Sequence, residues 1–170
     1  MNIAIIGFRG TGKSTVSKLL AKKLDRKLIS TDAEIEKKTK SRIDRFVKKH
    51  GWEKFREIEA EVIERISELD DCIFDTGGGV ILRNDNTVSL KKNSLVMLLT
   101  ADIKTVLERL KKEKRPSLTG RKNYLDEAKG AMIEREPKYR RAADYTIDTS
   151  RLSPEEICEL IMHYAQMEIE

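Results

Sequence analysis

Gly7 to Ser14 reads GFRGTGKS and fits the pattern G-x-x-x-x-G-K-[ST] at every fixed position. Gly7, Gly10 and Gly12 let the backbone turn sharply, so that successive N–H groups face one anion. Lys13 can reach the β- and γ-phosphates of a nucleotide, and the Ser14 hydroxyl can ligate Mg²⁺. A glycine turn that binds nothing is the plainer alternative. The flanks argue against it: an apolar run, Ile3 to Ile6, precedes the motif, and Val16, Leu19, Leu20 and Leu24 follow it at helical spacing. Strand, glycine-rich turn and helix, in that order, are the context that phosphate binding needs.

Five further places carry residues able to do chemistry. Asp32 follows a short apolar stretch; it is either the cap of the next helix or a carboxylate that takes the proton of a substrate hydroxyl. Arg56 and Glu59 are spaced as an exposed i, i+3 pair worth a few tenths of a kcal/mol. The functional reading is an Arg56 fork on a substrate carboxylate, with Glu59 holding the guanidinium in place. Gly77-Gly78-Gly79 is a flexible turn, or a place where a ligand lies directly against main chain. From Arg109 to Arg121 the chain is basic and loses its apolar period around Arg115-Pro116-Ser117-Leu118. That suits a lid that excludes water and meets phosphoryl charge, or else a solvated loop. Arg135 precedes Tyr139-Arg140-Arg141 near a predicted helix end, where all three arginines complement the helix dipole equally well.

These residues need elements to bring them together. Lys27 to Thr31, Cys72 to Phe74, Ser94 to Thr100 and a short stretch at Tyr145 to Ile147 read as strands after the first. Helices are predicted from Ala33, from Ser41 to Gly51, over 52–69 with Phe55, Ile58, Val62 and Ile66 inward, from Asp102 to Leu110, and from Leu125 to Arg141. A last helix starts at Ser153-Pro154-Glu155-Glu156, with Ile157, Leu160, Ile161 and Tyr164 inward. Alternating strands and helices predict a three-layer α/β fold, a five-stranded parallel sheet with helices on both faces. Right-handed crossovers put all strand C-termini on one edge. The polar residues after the strands then converge: Gly7 to Ser14, Ser30 to Asp32 and Asp75 to Gly79.

The 170 residues predict one domain with a single core. No apolar run approaches the ~18 residues needed to span a membrane. The first strand begins at once, which predicts no signal peptide. The two cysteines, Cys72 and Cys158, read as buried free thiols and fit a reducing cytoplasm. A net charge of +5 raises the possibility of nucleic-acid binding. With 5% aromatics and acids interleaved among the bases, as at Glu34, Glu36, Lys37 and Lys38, a basic cleft for small anions explains the excess equally well.

Taken together, GxxGxGKST, Asp32, FRxxE at Phe55 to Glu59, the triple glycine, RPSL and ERExxYRR resemble the shikimate kinase family, over essentially the whole chain. The resemblance implies a P-loop kinase that uses ATP and Mg²⁺ to phosphorylate the 3-hydroxyl of shikimate, in aromatic amino-acid biosynthesis. It implies ATP binding by Gly10, Thr11, Gly12, Lys13, Ser14, Thr15, Arg109, Arg115 and Pro154, with Arg109 and Pro154 bracketing adenine. Shikimate binding falls to Asp32, Arg56, Gly77, Gly78, Gly79 and Arg135. Lys13, Asp32 and Arg115 become the catalytic residues, Arg115 from a lid over 111–123, and the helices over 32–68 bind substrate. The family often has Asp-x-Asp at the end of the second strand, the first acid holding Mg²⁺ through water; here that position is Ser30. Ile73 to Gly77 resembles a Walker B strand, so Asp75 is assigned the metal-water role, with Ser14 as direct ligand. The expected partners are ATP and shikimate, with no nucleic acid and no membrane, and the expected state is a cytoplasmic monomer. A gluconate or nucleoside-monophosphate kinase and a non-catalytic nucleotide-binding regulator are the alternatives.

Overall fold

The first strand, β1 (Asn2–Ile6), is buried at every position. Ile3 and Ile5 belong to one apolar cluster, Ala4 and Ile6 to another, as in a strand covered on both faces. The computed structural model describes residues 1–112 and 124–169. In it, β2 (Lys27–Ser30), β3 (Cys72–Asp75), β4 (Ser94–Thr100) and β5 (Tyr145–Asp148) join β1. Every pairing is parallel, in the order β2-β3-β1-β4-β5.

Helices α1 (Lys13–Leu24) and α7 (Pro154–Met167) cover the Ile3 face with Val16, Leu20, Ile157 and Ile161. The other face is covered chiefly by α3 (Ile43–Ser67), α4 (Asn84–Lys91), α5 (Ile103–Lys112) and α6 (Tyr124–Ala142), to which Ile35 of the next helix adds. The remaining helix, α2 (Thr31–Thr39), packs on α3. The three-layer architecture is the expected one. Because all strands run the same way, their C-terminal ends share one edge, and the loops that leave it carry the candidate site.

Several local readings change. Ser30, not Asp32, caps α2: its hydroxyl accepts from the Ala33 N–H at 3.3 Å, and Asp32 stands in the first turn. The Asp32 carboxylate is therefore not spent on a cap. The division at Gly51 is as expected: with φ 82° and ψ 166° it kinks α3 into the two helices predicted on either side of it. On α7, Cys158 is fully buried, whereas Leu160 is 36% exposed and not inward. Burial pushes the Cys158 thiol up to about 11, in keeping with an inert core thiol. Neither α4 nor the short 3₁₀ turn Val80–Leu82 is visible in the sequence pattern, because Asn84 to Lys91 is polar at most positions. Asp102 does cap α5, accepting from the Thr105 N–H at 2.7 Å, and that helix runs on to Lys112. Residues 113–123, with the RPSL stretch and Arg115, lie outside the described residues. No helix among the described residues is long and apolar enough to cross a membrane.

Candidate active site

The phosphate loop leaves the end of β1 and enters α1 through Gly12, whose left-handed backbone (φ 93°) caps the helix. Thr11 Oγ1 and Lys13 Nζ both donate to the Phe8 carbonyl, at 2.7 and 3.0 Å, so that Lys13 folds back over the loop. Ser14 and Thr15 stand exposed in the first turn of α1. A cavity of about 410 Å³ follows this loop from residue 9 to Val16 and is closed by Arg109, Thr149 and Pro154, among others. The sequence-predicted nucleotide residues Gly10 to Thr15, Arg109 and Pro154 are thus gathered in one place; Arg115 is outside the described residues.

Thr149, just past β5, is a site residue the sequence reading missed. It is 1% exposed, and its hydroxyl lies 3.0 Å from the carbonyls of Thr11 and Thr100. Arg109 donates to it twice and to the Gly10 carbonyl, each at 3.1 Å. One guanidinium and one hydroxyl therefore tie the phosphate loop to the far half of the sheet. The available signal was topological: Thr149 follows a strand at the same edge as the other polar residues.

A second cavity, about 670 Å³, opens beside the loop. Arg56 enters it from α3, with its Cζ 5.3 Å from the Trp52 ring centroid and 5.0 Å from that of Phe55. Its Nη1 donates to Glu59 Oε1 at 2.8 Å. The Glu59 side chain is 1% exposed, which rules out the surface-pair reading. Burial pushes the Glu59 carboxyl above its ordinary range; Arg56 pulls it back, Asp32 adds repulsion, and Arg135 attracts it from α6. Its second oxygen, Oε2, has no hydrogen-bond partner among the described residues. Arg135 also lines the cavity, its Cζ 5.8 Å from the Phe8 ring centroid.

Two of the three glycines serve a different purpose than the sequence suggests. A Cβ on Gly79 would collide with the Arg56 guanidinium, and one on Gly77 would come within 2.9 Å of Asp32 Oδ1. Both glycines make room for the site's own charged groups. At Gly78 a Cβ would meet only ordinary contacts, at 3.6 Å or more. The Gly78 carbonyl accepts from the hydroxyl of Tyr139 on α6, a phenol that burial pushes up to about 12. Asp32, Arg56, Arg135 and the glycines thus line one cavity.

Ser30 and Asp75 are register partners across β2 and β3, and both line this cavity together with Ser14. No group of three or more His, Cys, Asp or Glu able to hold a metal occurs among the described residues. One hydroxyl and nearby carboxylates make an all-oxygen donor set, suited to a hard divalent cation that keeps waters and phosphate oxygens in its shell.

A model of the shikimate kinase family matches residues 9–166. A shikimate kinase of Caldicellulosiruptor bescii is 39% identical over 95% of this chain and 93% of its own length. One of Thermodesulfovibrio yellowstonii is 40% identical over 95% and 92%. Among solved structures, the shikimate kinase of Acinetobacter baumannii in complex with shikimate is 30% identical. It superposes with a TM-score of 0.91 over 98% of this chain and 93% of that one. The Aquifex aeolicus shikimate kinase gives 0.82 at 29% identity, covering 99% and 98%.

Proposed function

The chain belongs to the shikimate kinase family and phosphorylates shikimate with ATP and a divalent metal, and we propose that it does so at the 3-hydroxyl. In this reading the phosphate-loop cavity holds the nucleotide, and the cavity beside it holds the acceptor. Arg56 and Arg135 clamp the acceptor carboxylate, and Glu59 keeps the Arg56 fork turned toward it. The acceptor ring lies on the main chain of Gly77 to Gly79. Asp32 accepts the proton of the attacking hydroxyl as its oxygen bonds to the γ-phosphorus and the bond to the ADP oxygen breaks. Lys13 meets charge on the moving phosphoryl group, and so does Arg115 from the stretch over 111–123, which serves as a lid.

Bound Mg²⁺ neutralises the nucleotide's phosphate oxygens. Ser14 is its proposed direct ligand, and Asp75 the acceptor for one of its waters. The metal residues fit, since Ser14 and Asp75 line one cavity and Ser30 is engaged as the α2 cap. The proposed working unit is a cytoplasmic monomer that binds neither nucleic acid nor membrane. Residues of one chain line both cavities, and two buried free thiols accord with a reducing compartment.

One observation carries the acceptor assignment: an arginine backed by a buried glutamate shares a cavity with a second arginine and a carboxylate. Gluconate also has a carboxylate and is the reading to discriminate against. ADP release measured with shikimate, gluconate and nucleoside monophosphates is the test. Shikimate should raise turnover far above the rate with water as acceptor. Release that ignores shikimate and rises with another acceptor overturns the assignment.

A further inference from the structure

The transferring phosphoryl group must cross from the nucleotide cavity to the acceptor cavity, and among the described residues three line both: Arg9, Lys13 and Ser14. Lys13 and Ser14 are fixed positions of the phosphate-loop motif. Arg9 stands at one of its variable positions, so phosphate-loop geometry does not account for it. We infer that Arg9 is a further catalytic residue, whose guanidinium meets the phosphoryl group as it reaches the acceptor oxygen. The inference rests on the acceptor assignment above and adds to it a residue that recognises the group in transit.

The placement of Arg9 is set from two sides. Its backbone N lies 3.6 Å from where a Cβ on Gly78 would stand, which puts the residue against the glycine turn of the acceptor cavity. Its Cζ lies 5.5 Å from the ring centroid of Tyr124, the first residue of α6. A ring face orients a guanidinium while leaving its edge N–H groups to bond in the plane. The residue is half-buried and lines both cavities.

Chemistry then selects the ligand. The acceptor's carboxylate already has Arg56 and Arg135. Its hydroxyls are neutral and gain little from a third cation. The phosphoryl group is the strong anion that crosses the junction, and it comes to the acceptor side only during and after transfer. A planar fork matches its equatorial oxygens, while the Lys13 ammonium acts as a point charge. No bond to Arg9 forms or breaks; it stabilises charge that Asp32 and the nucleotide leave on the phosphoryl oxygens. A group that acts there favours the transition state and the phosphorylated product over the bound acceptor.

This separates ground-state from product affinity. Calorimetric titration of the intact chain with shikimate and with phosphorylated shikimate is run alongside kcat and KM for wild type, Arg9→Met and Arg9→Lys. In Arg9→Met the affinity for phosphorylated shikimate should fall about tenfold or more, with kcat down about 10- to 100-fold. Shikimate affinity and the KM for ATP should hold within about twofold, and Arg9→Lys should recover part of the product affinity. Equal loss for both ligands would place Arg9 on the carboxylate and overturn the inference. Unchanged product affinity would overturn it as well, reducing Arg9 to packing against Tyr124. Where Arg9→Met fails to fold, Arg9→Lys keeps the stem and the ring contact, and an unaltered product-to-shikimate affinity ratio overturns the idea. A wild type that binds neither compound refutes the acceptor assignment itself, a result distinct from any of these.

Discussion

An unbroken run of the chain, residues 9–16, makes one wall of the nucleotide cavity, whereas the acceptor cavity adds to Arg9 and Lys13 of that run charged groups from α2, α3, β3 and α6. In the first, the binding groups are mostly main-chain N–H donors, which every residue type carries; the glycines only allow the turn. In the second, they are side-chain charges, and each depends on another for its place. Arg56 leans on Glu59, Gly79 makes space for Arg56, Gly77 makes space for Asp32, and Tyr139 fixes Gly78. A backbone cradle is a property of one segment; a charge cluster is a property of the fold. Loss of a single group should therefore be sharper, and more selective for one substrate, in the acceptor cavity.

The largest effect should come from Arg56→Lys. An ammonium cannot reproduce the planar fork between the acceptor carboxylate and Glu59. The expected loss is roughly 2–4 kcal/mol in kcat/KM for shikimate, the scale for a desolvated charged pair that loses a partner. The KM for ATP should be almost unchanged, because Arg56 lines only the acceptor cavity of the two. Initial rates at varied ATP and varied shikimate settle it: equal loss on both axes would make Arg56 a structural residue and erase the contrast between the cavities.

Where the two regions meet, Asp75→Asn should raise the Mg²⁺ concentration for half-maximal rate by about tenfold, the lower end for groups that orient metal-bound ligands. Adding Ser30→Asp should bring it down again. The two positions are register partners on adjacent strands, so a carboxylate at either end reaches the same region. The α2 cap should survive the second change, since Asp caps as well as Ser. A Mg²⁺ dependence untouched by Asp75→Asn would leave Ser14, phosphates and water as the whole metal environment.

The same contrast explains what could be read from the sequence. The phosphate loop was legible because its chemistry and its geometry both reside in consecutive residues. The parallel sheet was legible because buried strands read as continuous apolar runs, and topology then sent the polar ends to one edge. The acceptor residues could be named by type and by family resemblance, but not weighed. Whether Arg56 and Glu59 form a surface pair or a buried clamp depends on the packing of α3 against the sheet, which no i, i+3 spacing contains. Ser30 and Asp32 are both good caps, and only the backbone decides between them. The reason for Gly77 and Gly79 lies in side chains that arrive from other helices. Thr149 and Arg9 escaped notice because neither occupies a fixed motif position.

A smaller effect concerns pH. Glu59 has its folded pKa raised, chiefly by burial. Between the ordinary carboxyl range and that raised value, the folded chain holds a proton the unfolded chain has released. This proton stabilises the fold at low pH, and the contribution is lost as pH rises through the folded value. Function should run the other way: as pH falls through the raised value, Glu59 becomes neutral, its hold on Arg56 weakens, and the KM for shikimate rises. Glu59→Gln should show the higher KM throughout, by about 1 kcal/mol, and lose this pH dependence. A shikimate KM profile that keeps its shape in Glu59→Gln would assign the titration to another group.

The smallest effect comes from a pair that matches Arg56–Glu59 in spacing and distance, but is exposed and has a lysine in place of the arginine. Lys54 and Glu57 lie on the same helix at the same i, i+3 spacing, with Nζ to Oε2 2.7 Å apart, against 2.8 Å for the buried pair. Their side chains are 54% and 45% exposed, against 17% and 1%. Water screens the exposed charges, and ordering two long side chains costs entropy that offsets most of the attraction. The hydrogen bond to Glu57 and its charge hold the Lys54 ammonium above its usual range, but at a water-screened surface this carries no comparable weight. Lys54→Ala should therefore leave the melting temperature and the KM values for ATP and shikimate unchanged within error. Lower melting in Lys54→Ala, or a shifted shikimate KM, would mean that spacing rather than burial sets the worth of such pairs. The selective loss expected of Arg56→Lys would then need a different explanation.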